Sequence, residues 1–305
     1  MAVISAAALV AAIVVPLRPW AGGKTNPNPF EKSWATPLGV TVPAAGSASL
    51  VAGFVASYTA SYGAVGVNAG PKGQPTVVIP AGQPMVPLAV RSGCNDFRPN
   101  TGASAPIPPG AAVSTSGDAP LIVWQPSTNT EWEFWQIHDS PAGYTACWGG
   151  KLTHVSHSNG VFPSNYGLSA TGISYLGTEI TEADVRAGAI DHVMALAVPH
   201  CNGWVPPAVR GDCGRDPGYP AEGQRFRLPP ATPEPAGLTP LAAMVFTALT
   251  RYGMVVVDYA GAAVLQAEYS SVATDPIHVA FAGRTSFAVL DGIPWASLEV
   301  VPPPK

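Results

Sequence analysis

The 305-residue chain carries little charge: Asp, Glu, Lys and Arg make up 11% of it, against roughly 25% in an average soluble domain. Its 15 Lys and Arg are outnumbered by 19 Asp and Glu, giving a formal net charge of −4, and no basic run occurs. Without a cationic patch to displace counterions, nucleic acid is excluded as the expected partner. The sequence has no GxSxG, no P-loop and no GxGxxG, so the nucleotide-binding and serine-hydrolase classes lose their usual signatures. No CxxC pair occurs among the four cysteines, which argues against a zinc knuckle. No internal repeat is present, and no metal or cofactor is expected.

What is abundant is Pro (34) and Gly (32), within a chain that is 47% apolar. Such a turn-rich, weakly charged chain fits β-structure that partners cover. The longest apolar and small-residue run, Ala2 to Val15, is shorter than the roughly 20 residues a membrane-spanning helix needs. The first cation is Arg18, so a basic leader region is missing, and Ala21-Gly22-Gly23 is a poor cleavage sequence. The run is therefore expected to stay as an arm, buried on the body or on a neighbouring subunit. A signal-like or anchor segment is the alternative. Residues 1–32 are assigned to this arm and its linker, and residues 33–305 to one β-domain.

Cys201 and Cys213 bracket a Pro/Gly-rich loop and are the expected disulfide; Cys94 with Cys147 follows by elimination. Four buried thiols are the alternative, because spacing does not fix connectivity.

Within the body, Leu50, Val51, Phe54, Val55 and Tyr58 recur at helical spacing. Residues 76–79 and 85–90 read as short strands, with Pro80 and Pro87 limiting their extent. Residues 119–125 and 130–138 form a hairpin about a Pro-Ser-Thr-Asn turn. Residues 144–148 make a further strand, and 149–178 a long Gly/Ser/Asn segment. Thr181 and Asp184 approximate a capping box for a helix ending at Gly188, followed by a strand over 190–198. Thr239 as N-cap, Pro240 at the first helical position and Gly253 just past the end define a second helix. Strands are expected at 254–258, 262–268, 277–281, 287–290 and 298–301. The fold class is mainly β: an antiparallel, jelly-roll-like β-sandwich with two short helices and an extended N-terminal arm.

The second hairpin strand alternates, with Trp132 and Phe134 on one face and Glu131, Glu133 and Trp135 on the other. The aromatic pair is expected in the core. The two carboxylates, about 7 Å apart at two strand rises, are expected to be exposed and to line a groove. Such a pair beside a Trp suits sugar chemistry. Trp124, Trp135, Trp148 and Trp204 could stack on sugar rings. The candidate glycan-binding residues are thus Trp135, Glu131, Glu133, Trp148 and Trp204. Gln136-Ile137-His138 matches the Gln-Ile-His motif of a β-sandwich alginate-lyase family, where Gln136 would neutralise a uronate carboxylate and His138 would remove the C5 proton. The accompanying Arg/Glu and Tyr/Lys strands of that family are missing. His154 and His157 lie three apart in a polar loop without Asp or Cys nearby. Asp191 and His192 point to opposite faces of a strand and make no dyad.

Several segments in order carry a wider resemblance. They are Trp34-Ala-Thr-Pro-Leu38, Ile107-Pro-Pro-Gly-Ala111, Glu133-Phe-Trp-Gln136, Ala170-Thr-Gly-Ile173 and Ile180 through His192. Pro220 through Leu228, Arg251-Tyr-Gly-Met-Val255 and Ile293-Pro-Trp-Ala-Ser-Leu298 complete the set. Over residues 33–300 the chain resembles a poorly characterised β-sandwich family of secreted actinobacterial proteins and actinophage minor tail proteins. The resemblance implies a virion setting and carries no catalytic residue with it. The expectation is a bacteriophage minor tail or tail-tip component, more structural than enzymatic. Its partners would be other copies of itself, other tail proteins and host-surface polysaccharide. A secreted protein that binds or cleaves polysaccharide is the alternative.

Overall fold

The computed structural model describes residues 28–39, 42–114, 116–269 and 274–303. The expected apolar arm, Ala2 to Val15, lies outside them. The described chain is mainly β, with fourteen strands in three mixed sheets and five short α-helices, an arrangement consistent with a β-sandwich.

Strands and helices are numbered in chain order. The largest sheet runs β1 (Gly66–Gly70), β13 (Val264–Tyr269), β10 (Met194–Val198), β12 (Met254–Tyr259), β11 (Arg225–Arg227), β14 (Glu299–Val301). The second runs β2 (Thr76–Val78), β5 (Leu121–Gln125), β6 (Thr130–Trp135), β9 (Trp148–Thr153). The third runs β4 (Ser104–Ala105), β3 (Val86–Val90), β8 (Gly143–Ala146), β7 (His138–Ser140). The helices are α1 (Ser47–Ser61), α2 (Arg98–Thr101), α3 (Glu182–Ala187), α4 (Pro240–Arg251) and α5 (Pro276–Ala280).

Three cores stack these elements in layers. Val51 and Phe54 of α1 and Leu241, Val245 and Leu249 of α4 bury against Leu196, Val256 and Leu265 on one face of the large sheet. The opposite face, through Ala195, Val255 and Val257, meets Ile122 of β5 and Leu152 of β9, with Phe30, Trp34, Phe162 and Tyr175 between them. The far side of the second sheet, through Leu121, Val123, Trp132 and Phe134, packs on Leu88, Tyr144 and Ala146 of the third. β10 is buried along its whole length, as expected of a strand covered on both faces.

The local signals at the helix ends hold. Thr181 Oγ1 accepts from the Asp184 N–H, and Asp184 accepts from the Thr181 N–H, closing the capping box. Thr239 caps α4 through the Ala242 N–H, and Gly253 follows at φ +80°. Both expected disulfides are present, Cys94–Cys147 and Cys201–Cys213, with Cα separations of 5.1 and 5.7 Å.

Four expectations need correction. The sandwich is not antiparallel: β1/β13, β10/β12, β2/β5 and β3/β8 pair in parallel, which departs from a jelly-roll plan. The described residues hold five α-helices: α3 and α4 are the two capped helices of the expected fold and α1 covers the stretch with helical spacing, whereas α2 and α5 were not expected. Residues 277–281 fall largely in α5, because Asp275 accepts from the His278 N–H and Pro276 fills the first helical position. Residues 287–290 are turns, not a strand.

Candidate functional site

The alternation in β6 is as expected, since Trp132 and Phe134 enter the core between the second and third sheets. The expected exposure of Glu131 and Glu133 is overturned: both are fully buried. β6 is an interior strand, and its carboxylate face meets residues 160–180 instead of water. That irregular segment carries backbone donors into the interior, and buried donors need acceptors. Glu133 accepts from the Leu168 N–H at 2.9 Å and the Tyr175 N–H at 2.7 Å, and Glu131 from Ser174 Oγ at 3.0 Å. Burial pushes Glu133 up to about 7, against the pull of those N–H donors. Burial, then the neighbouring Glu133, drives Glu131 well above the usual carboxylate range. These two fully buried side chains hold a loop.

The groove lies beside them. A cleft of about 1410 Å3 opens at the carboxyl ends of the parallel pair β10 and β12, the end of a parallel pair where ligands gather in open sheets. Between the two strands the register slips: Leu196 opposes Val256, but Ala197 opposes Asp258. Bulges of this kind re-aim a side chain. The Asp258 carboxyl lines the cleft, where Tyr175 Oη donates to it and the Ala170 N–H donates at 2.7 Å. Burial raises Asp258 to about 7 despite these donors, and the charges of Asp212 and Asp118 add to the rise.

One wall is aromatic. Trp135 of β6 and Trp148 of β9 are directly opposed across adjacent antiparallel strands, and both line the cleft. Trp135 Nε1 donates to Asp118 at 3.1 Å, and Trp148 stacks on Tyr166 with ring centroids 6.0 Å apart. Elsewhere the lining is amide-rich. Asn68 and Gln74 both donate to Gln266 Oε1, at 3.2 and 3.3 Å. Gln74 is 8% exposed, and its Oε1 has no hydrogen-bond partner among the described residues.

The loop after β10 supplies the rim. Arg210 directs its guanidinium at the carbonyls of Tyr166 and Ser169, both at 2.6 Å, and pins the segment that carries Ala170. Burial lowers its pKa from the usual arginine value. Asp212 is exposed at the cleft edge. Behind it, the buried Glu222 is raised to about 8 by burial, then by its hydrogen bond and charge contact with Asp212.

The remaining candidates scatter. Trp204 is half exposed and lies outside the cleft lining. Gln136 and His138 also lie outside it; Arg91 donates to Gln136 at 2.8 Å and sits 3.4 Å from His138 Nε2. The structure thus brings an arginine to that motif which sequence order did not. The ring nitrogens of His154 and His157 contact their neighbours Thr153 and Ser156. His192 turns to Asp184 and Asp191 to Arg251, so the two adjacent side chains do diverge. Among the described residues, no three His, Cys, Asp or Glu side chains gather as a metal site.

Sequence reasoning missed Asp118, Asp212, Asp258, Tyr175 and Gln74. The available signals were an acid closing an otherwise apolar strand at Asp258 and an acid inside the Cys201–Cys213 ring at Asp212. No helix among the described residues is long and apolar enough to cross a membrane. Comparison with protein-family models, with curated proteins and with solved structures finds no match to this chain.

Proposed function

We propose that the chain is an extracellular polysaccharide-recognition protein, carried at the tip of a bacteriophage tail. The observation that supports recognition is the cleft itself, with the Trp135–Trp148 pair on one wall and the Asn68, Gln74 and Gln266 amides also in its lining. Aromatic faces stack on the C–H faces of sugar rings, and amides match sugar hydroxyls in both donor and acceptor roles. A volume of about 1410 Å3 exceeds what a single small ligand needs and suits several sugar units. Two disulfides suit an oxidising, extracellular setting. The tail setting rests on the sequence resemblance and on the low charge of the chain.

The test is retardation of the purified chain in native gels cast with dextran, arabinogalactan, xylan, hyaluronan or peptidoglycan glycan strands. Retardation by at least one polymer is expected, weakened at least tenfold by Trp135→Ala and by Trp148→Ala. Free migration in all five would reject the recognition reading. Mass spectrometry of purified virions tests the setting, and absence of the chain from them would leave the secreted alternative.

A further inference from the structure

The floor of the cleft has more than recognition requires. Asp258 is a carboxyl set at a strand bulge, held by the Tyr175 hydroxyl and the Ala170 N–H. Asp212 lies on the rim of the same cleft, near enough for its charge to act on Asp258. Trp135 and Trp148 line the same cleft. The sugar-stacking wall proposed above and the two carboxyls therefore share one cleft.

We propose that this cleft hydrolyses glycosidic bonds, with Asp258 as the general acid and Asp212 as the general base. The inference rests on the polysaccharide reading above. As the bond between C1 and the glycosidic oxygen breaks, Asp258 gives its proton to the departing oxygen, which leaves as a hydroxyl. Water forms the new C1–O bond and loses its proton to Asp212. One water is consumed, two sugar ends result, and proton exchange with solvent restores both carboxyls. Two acids with different surroundings divide the roles in this way in many glycoside hydrolases. Asp258, half-buried and raised to about 7, still holds a proton in mildly acidic solution. Its charged and titrating neighbours are Tyr175, Arg210, Asp212, Asp118 and Glu222. Glu222 touches Asp212 from behind and acts as a positioning residue.

The experiment uses the full chain and whichever of the five polymers retards it. That polymer is incubated with protein from pH 4 to 8, and new reducing ends are counted. Cleavage is expected, declining as pH rises through about 7, where Asp258 loses its proton. Asp258→Asn and Asp212→Asn should each lose at least about 100-fold in kcat, the scale of general acid–base catalysis, while keeping their gel retardation and remaining folded at pH 5. Glu222→Gln should shift the pH profile more than it changes KM. Retardation without new reducing ends at any pH would overturn catalysis and leave recognition intact. Undiminished cleavage by folded Asp258→Asn would also overturn it. Absence of retardation would remove the underlying reading itself.

Discussion

Tyr175 donates its hydroxyl to Asp258 across the junction between the large sheet and the irregular segment 160–180. The bond joins a residue of the buried loop to the last turn-ward acid of β12. It favours the ionised carboxylate, while burial and the charges of Asp212 and Asp118 favour the neutral acid, and burial prevails. Tyr175→Phe removes this hydroxyl from the balance. Asp258 should then hold its proton to a higher pH than the wild-type value of about 7. Hydrogen bonds to charged groups contribute about 1.5–3 kcal/mol. The variant should therefore lose about that much stability above pH 7, and less below it. Carboxyl 13C titration and denaturant melts at pH 5 and 8 would check both. An unchanged Asp258 midpoint would refute the assignment.

The stability of the whole protein should fall as pH rises through neutrality. Burial lifts Glu133, Glu268 and Asp258 to about 7 and Glu222 to about 8. The unfolded chain releases these protons near the ordinary carboxylate values. Between about pH 4.5 and 8 the native state thus binds more protons than the unfolded one, so stability decreases with pH. Its contribution is complete below the unfolded values and disappears above the folded ones. Melting temperature should peak at mildly acidic pH. Glu268→Gln should flatten the decline, because Gln can still accept from the Glu182 N–H, as Glu268 Oε2 does at 2.8 Å. A melting temperature that rises from pH 5 to pH 8 would sink this account.

How far the sequence carried these features depends on whether their causes were local. Helix caps at Thr181 and Thr239, and the turn that joins β5 to β6, depend on neighbours in the chain. They were legible for that reason. The period-2 pattern of β6 correctly separated Trp132 and Phe134 from Glu131 and Glu133. It could not say what covers the second face, because residues 160–180 reach it only through tertiary packing. The parallel pairs were invisible for a related reason: β2 and β5, or β10 and β12, are far apart in the chain and share no turn. The same distance hid the site. Trp135 and Trp148 face each other only once β9 pairs with β6, and Asp258 enters the cleft only through the β10/β12 register slip. By contrast, α5 was legible and misread, since Asp275-Pro276 is a helix-start signal.

Trp132→Ala should be among the costly core truncations. Trp132 is 6% exposed and lies between the second and third sheets with Leu121, Phe134 and Ile137. Aromatic-to-alanine changes in such positions lose about 3–5 kcal/mol. Urea denaturation at pH 5 measures it, and a loss below about 1 kcal/mol would show that the site collapses around the cavity.

Gly253→Ala should destabilise for two reasons that add. The residue sits at φ +80° after α4, a region that alanine enters reluctantly. An added Cβ would also come within 2.2 Å of the Phe226 carbonyl oxygen, so the junction of α4 with β11 must shift. Gly188→Ala shares the first cost without the second, since nothing lies within 4 Å of a Cβ there. Melting of the two variants side by side should show Gly253→Ala clearly the worse. Equal losses would mean that conformation alone decides.

The Cys201–Cys213 disulfide should matter to the cleft as well as to stability. It closes a ring that contains both Arg210, which pins the carbonyls of Tyr166 and Ser169, and Asp212 on the rim. A ring of this size stabilises by about 3 kcal/mol in the chain-entropy model. Replacing both cysteines by Ala should lower the unfolding free energy by about that amount. It should also loosen Arg210 from the 164–169 carbonyls and weaken polysaccharide retardation, even at a temperature where the variant is fully folded. Cys94 and Cys147 also line the cleft, and their removal offers the contrast: a larger stability loss, about 4 kcal/mol in the same model, with Arg210 still anchored. Hydrogen exchange of the Ala170 amide reports the difference, because Arg210 fixes the segment from which that amide reaches Asp258. Exchange should accelerate in the Cys201→Ala/Cys213→Ala variant and remain slow in Cys94→Ala/Cys147→Ala. Equal exchange in the two would show that the ring does not hold the cleft in shape.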